Sequence, residues 1–139
     1  MDNGPKTARD QRLHKLLWAA QVVLFILFMT SGILKLLLPM EQLIELLKWP
    51  GMVPDQLVRL NGLAEVLGAL GLIVPGMTRI QPQLVSWAGY GLFFIMILAA
   101  GFHMSHTGFY MLPANIVIGG LAGFVGWGRG SQVPIEPMK

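Results

Sequence analysis

The segment LLWAAQVVLFILFMTSGILKLLL occupies residues 16–38 and decides the fold. A helix that crosses the hydrocarbon core of a bilayer needs roughly 20 mainly apolar residues, and this segment has that length. Lys35 is its one charged residue, and Pro39 follows its last leucine. The apolar run is too long for the core of a secretory signal, which spans about 7–15 residues. The segment therefore predicts an uncleaved transmembrane helix.

Three further segments have a similar length and polarity. They cover residues 57–75, 83–103 and 109–128. Together the four segments predict an all-α polytopic membrane protein, a four-transmembrane-helix bundle that occupies residues 16–130. We expect residues 1–15 to form a basic cytoplasmic segment and residues 131–139 to form a short C-terminal tail.

The composition supports a membrane location. Charged residues make up 12% of the chain, whereas a soluble domain averages about 25%. The sequence has no cysteine, which excludes a thiolate metal site, a thiol–disulfide relay and an iron–sulfur cluster held by this chain. The net charge of +3 comes mostly from basic residues near helix ends. We therefore predict the lipid bilayer as a partner and no nucleic-acid binding.

Residues 41–49, between the first two spans, have an amphipathic pattern. Glu41, Glu45 and Lys48 repeat at helical spacing, while leucines and an isoleucine fill the opposite face. This pattern predicts a short interfacial helix that lies on the membrane and ends at Trp49. The alternative is a plain amphipathic connector with no further role.

The distribution of lysine and arginine predicts the orientation. Seven of the ten basic residues fall on one side of a four-span bundle: Lys6, Arg9, Arg12, Lys15, Arg79, Arg129 and Lys139. The other three, Lys35, Lys48 and Arg59, fall on or near the opposite side. Because the more basic side normally faces the cytoplasm, we predict a multi-pass protein of the cell membrane with both termini in the cytoplasm.

Six polar residues fall at one depth of the predicted bundle, in its outer third. This polar layer consists of Ser31, Lys35, Asn61, Glu65, His103 and Asn115. Ser31 and Lys35 are four residues apart, as are Asn61 and Glu65, so each pair shares a helix face. A lone charge in this layer is costly, so we expect Lys35 to pair with Glu65.

The polar layer has three interpretations. It is a ligand-binding site, a structural clamp that fixes helix register, or a proton-coupled or catalytic site whose catalytic residues are unknown. His103 at its rim could exchange protons with the outside. His103 and His106 are too few for a closed zinc site, so no metal site is predicted. Arg59 is interpreted as an interfacial anchor.

The motifs carrying the polar layer resemble a known family. The segments SGILKL at residues 31–36 and NGLAE at residues 61–65, with His103 through Asn115 to Gly128-Arg129, are similar to the DoxX-like family of small membrane proteins. The resemblance covers about residues 13–130 and implies a four-helix membrane bundle. It also implies that Lys35 and Glu65, with Asn61 and His103, are characteristic polar positions. The founding members of that family are a subunit of a thiosulfate:quinone oxidoreductase in archaea, other members are associated with redox defence, and a distant animal relative is a chaperone for neurotransmitter receptors.

Two functions follow as hypotheses. The first is a redox-associated accessory subunit that binds a quinone or another small lipophilic ligand in an outer-leaflet pocket around Lys35 and Glu65. The alternative is a non-catalytic assembly factor or chaperone that packs against a membrane protein partner. A transporter is a weaker hypothesis, because four spans without a repeat give one chain little room for alternating access. Enzymatic activity and oligomeric state stay open.

Overall fold

The computed structural model describes residues 7–139, which form helices and turns and no β-strand. The five α-helices are α1 (Ala8–Leu37), α2 (Met40–Leu47), α3 (Asp55–Thr78), α4 (Leu84–His106) and α5 (Leu112–Trp127). Short turns of 3₁₀ helix at Trp49–Met52 and Phe109–Met111 precede α3 and α5, and a π-helical turn at Gly128–Gln132 follows α5. Four helical segments are long and apolar enough to cross a membrane: α1, α3, α4 and Phe109–Gln132. The predicted all-α, four-span fold is confirmed.

Helix α1 begins well before its apolar run. Thr7 and Asp10 form a capping box in which the Thr7 hydroxyl accepts the Asp10 N–H over 3.2 Å and Asp10 accepts the Thr7 N–H over 3.3 Å. The helix has 30 residues and is therefore about 45 Å long, whereas the hydrocarbon core is about 30 Å thick. Residues 8–15 thus extend the first span by about two basic helical turns. Lys6, which was grouped with these basic residues, lies outside the described part of the chain.

The predicted short helix between the first two spans is present as α2. Lys48 follows its last residue and has a positive backbone φ of 66°. Trp49 lies in the 3₁₀ turn that follows, so it is not the last residue of the helix. Leu43 is completely buried, and α2 packs chiefly against the 3₁₀ turn at Trp49–Met52 that follows it.

The four long helices form a closed ring in which α1 and α4 each pack against both α3 and α5. Thr7 and the C-terminal tail lie at one end, which we call the terminal end; the polar layer lies near the opposite, far end. Glycine allows the closest crossings. A Cβ built on Gly32 would lie 2.7 Å from the Gly62 carbonyl oxygen, and one on Gly89 would lie 2.7 Å from the Gly126 nitrogen. Small residues serve this purpose in membrane bundles generally.

The apolar side chains divide between the interior and the surface. Leu24, Leu72 and Leu92 are at most 1% exposed and fill the centre of the ring. Others of similar size are well exposed, among them Leu67, Phe94 and Ile116. A helix that is apolar all round suits a membrane span, because lipid covers the outward-facing side chains.

Candidate functional site

Lys35 and Glu65 form the centre of the polar layer. The Lys35 Nζ lies 2.7 Å from Glu65 Oε1, and the side chains are only 7% and 3% exposed. The pair forms because α1 and α3 cross at Gly32 and Gly62, each of which precedes a charged residue by three positions. The close crossing allows the ammonium to reach the carboxylate across the interface. Opposite charges at this distance relieve the cost that either would have alone.

The Glu65 carboxylate is only partly satisfied. Asn61, one turn earlier on α3, directs its side-chain nitrogen at the same Oε1 atom over 3.4 Å. The second oxygen, Oε2, is buried and has no hydrogen-bond partner among residues 7–139. A carboxylate can accept about four hydrogen bonds. One of the two carboxylate oxygens therefore accepts no hydrogen bond from the described residues.

Trp49 covers the ion pair at the far end. Its ring centroid lies 5.4 Å from the Lys35 Nζ, a distance at which the ring face attracts a cation. Trp49 also meets the Phe102 ring edge-on, with centroids 6.1 Å apart. The connector between the first two spans thus contributes to the site, a role that the sequence pattern did not indicate.

His103 and His106 differ in their surroundings. His103 is 7% exposed, and its Nδ1 shares a 2.9 Å hydrogen bond with the Thr107 hydroxyl. His106 is exposed, stacks on Phe102 at 4.4 Å, and donates from Nδ1 to the Phe102 carbonyl over 3.1 Å. In residues 7–139, no three His, Asp or Glu side chains come together as a metal-binding group.

Asn115 and Ser31 complete the predicted set but are not joined to the ion pair. Asn115 on α5 is 8% exposed, and its Nδ2 is buried with no hydrogen-bond partner within residues 7–139. Ser31 is half-buried. Of the six residues of the polar layer, all of which are described, hydrogen bonds join Lys35, Asn61 and Glu65 to one another. The layer thus holds one unused acceptor on Glu65 and one unused donor on Asn115.

Arg59 has a structural role that was not predicted. Its guanidinium donates to the carbonyl oxygens of Lys35 and Leu38, the second over 2.8 Å. These carbonyls belong to the last turn of α1, where no further helical N–H is available to them. Arg59 thus caps the helix that carries Lys35. Because the two elements are more than 20 residues apart in sequence, no local pattern indicated this contact.

A second group of buried polar residues lies towards the terminal end, and sequence reasoning missed it. Arg129 was counted as a flanking charge, yet it is 3% exposed. Its Nε donates to Gln21 Oε1 over 2.8 Å, and Gln21 Nε2 donates to the Leu72 carbonyl over 2.6 Å. Gln21, an amide within the first apolar run, is the sequence feature that could have indicated this group.

The fold is that of a small polytopic helical membrane protein, with a Lys35–Glu65 salt bridge between two of its candidate membrane spans. The sequence model of the DoxX-like family matches residues 19–125. The match covers more than half of the chain, and the chain belongs to this family. It includes the whole polar layer and ends before Arg129. Searches of curated proteins and of solved structures found no match.

Proposed function

We propose that this protein is a redox-associated accessory subunit that binds a quinone, or a similar small lipophilic ligand, at the polar layer. The observation that carries the proposal is the pair of buried, unpartnered polar atoms, Glu65 Oε2 and Asn115 Nδ2. A buried polar group without a partner costs about 1–3 kcal/mol. A ligand that binds both atoms would recover that free energy.

The chemistry of these atoms suits both redox states of a quinone headgroup. A quinone carbonyl is an acceptor, and the Asn115 amide can donate to it. A hydroquinone hydroxyl is a donor, and the free oxygen of Glu65 can accept its hydrogen. The surrounding apolar helices would hold the ring and its lipophilic tail, as ligand sites in helical bundles do.

Quinone retention tests the proposal. The protein is purified in mild detergent from quinone-containing membranes, and bound quinone is extracted and quantified per mole of protein. Asn115→Leu removes the unused donor without removing a hydrogen bond made by Nδ2, so the protein should stay folded while quinone content falls by about fivefold or more.

A matched control lies outside the polar layer, near the same end of the bundle. Ser105→Ala removes an exposed hydroxyl that donates to the Gly101 carbonyl of its own helix, so quinone content should equal that of the parent. Glu65→Gln keeps the side-chain shape and should reduce retention as Asn115→Leu does. Quinone-replete preparations without bound quinone, or with equal amounts in all variants, would refute the proposal.

The alternative function, a membrane assembly factor or chaperone, is favoured by a different observation. The Lys35–Glu65 pair is short and almost fully buried, as expected of a clamp that holds α1 and α3 in register. Crosslinking in native membranes would then capture one defined membrane protein. Recovery of the isolated chain alone would exclude this function.

A further inference from the structure

Arg129 is a buried cation that forms no salt bridge within residues 7–139. Among residues 7–139 the one salt bridge joins Lys35 and Glu65, at the other end of the bundle. Arg129 NH1 contacts the Val133 carbonyl and His14 Nδ1, over 3.1 and 3.0 Å. Its NH2 is buried and unpartnered within the same residues. A buried charge of this kind is unfavourable unless an opposite charge lies close to it.

A cavity of about 310 Å³ is lined by two side chains that contact this arginine. Its lining includes His14 and Trp18, both of which contact Arg129: the Trp18 ring centroid is 5.4 Å from the guanidinium carbon. Arg129 is not itself among the lining residues, and it is linked to the cavity through its contacts with these two side chains. The volume is at the lower end of the range of about 300–1,000 Å³ typical of small-molecule sites. A small polar headgroup would fit.

The cavity is lined by basic, aromatic and tail residues. Besides His14 and Trp18, these are Gly76, Arg79, Pro134, Ile135 and Glu136. Arg79 is held in place by the tail, because its Nε donates to the Glu136 carbonyl over 2.7 Å. Because an arginine can only donate, His14 accepts from Arg129 at Nδ1, which places the proton of a neutral ring on Nε2. Glu136 is the one acidic side chain in this lining.

We propose that this cavity binds the phosphate of an anionic phospholipid. Arg79 faces the phosphate directly, and Arg129 supplies positive charge from behind His14. The apolar portion of the lining, Trp18 and Ile135, suits the start of an acyl chain. Tryptophan is typical of the headgroup level of a bilayer, where this phosphate would lie. The site is separate from the polar layer, which lies near the far end.

The test compares two lipids that differ in net charge. Purified protein in nonionic detergent is titrated with phosphatidylglycerol or phosphatidylcholine, while thermal stability and retained lipid are measured, the latter by native mass spectrometry. Phosphatidylglycerol should raise the Tm and remain bound, and phosphatidylcholine should do neither. Arg79→Gln, which keeps an amide donor for the tail, should weaken phosphatidylglycerol binding by about fivefold.

Arg12→Gln is the matched control. Arg12 lies at the same end of the bundle and lines a different cavity, with Arg9 and Trp127. The Arg12→Gln variant should bind phosphatidylglycerol as the parent protein does. Nonionic detergent provides no charged surface, so the loss of a basic residue outside the cavity should not change binding. His14→Asn alters a side chain that lines the cavity but preserves an acceptor for Arg129. This variant should also weaken phosphatidylglycerol binding, and it tests the proposal if the Arg79→Gln variant does not fold. Equal binding of both lipids, equal loss in Arg12→Gln, or a full Tm shift with inorganic phosphate alone would each overturn the proposal.

Discussion

Lys35 lies directly against Gly62, and a Cβ built on that glycine would be 2.7 Å from the Lys35 Cβ. The missing side chain on α3 thus provides the space that the stem of Lys35 occupies. From there the ammonium extends one turn along α3 to Glu65. The ion pair therefore depends on a residue that carries no charge.

Substitution of Gly62 tests this dependence. Gly62→Ala would force Lys35 or the α1 backbone to move, so we expect a loss of about 1–3 kcal/mol of stability. Unfolding in a sodium dodecyl sulfate titration measures it. Gly120→Ala is the control, because a Cβ at this position meets nothing within 4 Å. An equal effect of both substitutions would contradict the tight crossing.

Removal of one member of the ion pair should be more harmful than removal of both. Glu65→Leu leaves the buried Lys35 ammonium without its counter-ion, at an expected cost of about 3–5 kcal/mol. In the double variant Lys35→Met with Glu65→Leu, most of that stability should return. The same unfolding titration gives the coupling free energy. A double variant as unstable as the sum of the single variants would show that the charges do not interact.

The cap supplied by Arg59 gives a third prediction. Arg59→Met leaves two carbonyl groups at the end of α1 without their hydrogen-bond donor. The free energy of unfolding should therefore fall by about 1–3 kcal/mol. Hydrogen exchange of the last turn of α1 should increase as well. Lys48→Met removes a charge from an exposed position at the same end and should leave both measurements unchanged. Faster exchange in the Lys48 variant would mean that charge alone explains the effect.

The contact between Gln21 and Arg129 gives a fourth. Gln21→Leu removes the acceptor of the Arg129 Nε and the donor to the Leu72 carbonyl. The free energy of unfolding should therefore fall by about 1–3 kcal/mol, and the Tm measured by thermal unfolding should fall with it. Ser131→Ala, an exposed change two residues after Arg129, is the comparison and should have little effect. If Gln21→Leu were neutral, the buried network would contribute nothing to the fold.

The sequence indicated the features that depend on one helix at a time. The apolar run at residues 16–38 has the length of a membrane span, and spacing of four places Asn61 and Glu65 on one face. The sequence also predicted that Lys35 pairs with Glu65, because a charged side chain without a counter-ion is unfavourable in a membrane. Periodicity and rise along a helix are sufficient for such inferences, since they require no knowledge of its neighbours.

The tertiary structure decided the contacts that depend on how helices are arranged around the ring. Arg129 meets Gln21 across 108 positions of sequence, Trp49 covers Lys35, and Arg59 caps α1. A helical repeat gives the depth and face of each residue but not which helix that face meets. Glycine at the crossings sets those neighbours, because backbones approach closely only where no Cβ intervenes. The sequence thus determined the four spans and the depth of the polar layer, while packing determined which of its atoms are paired and which are left without partners.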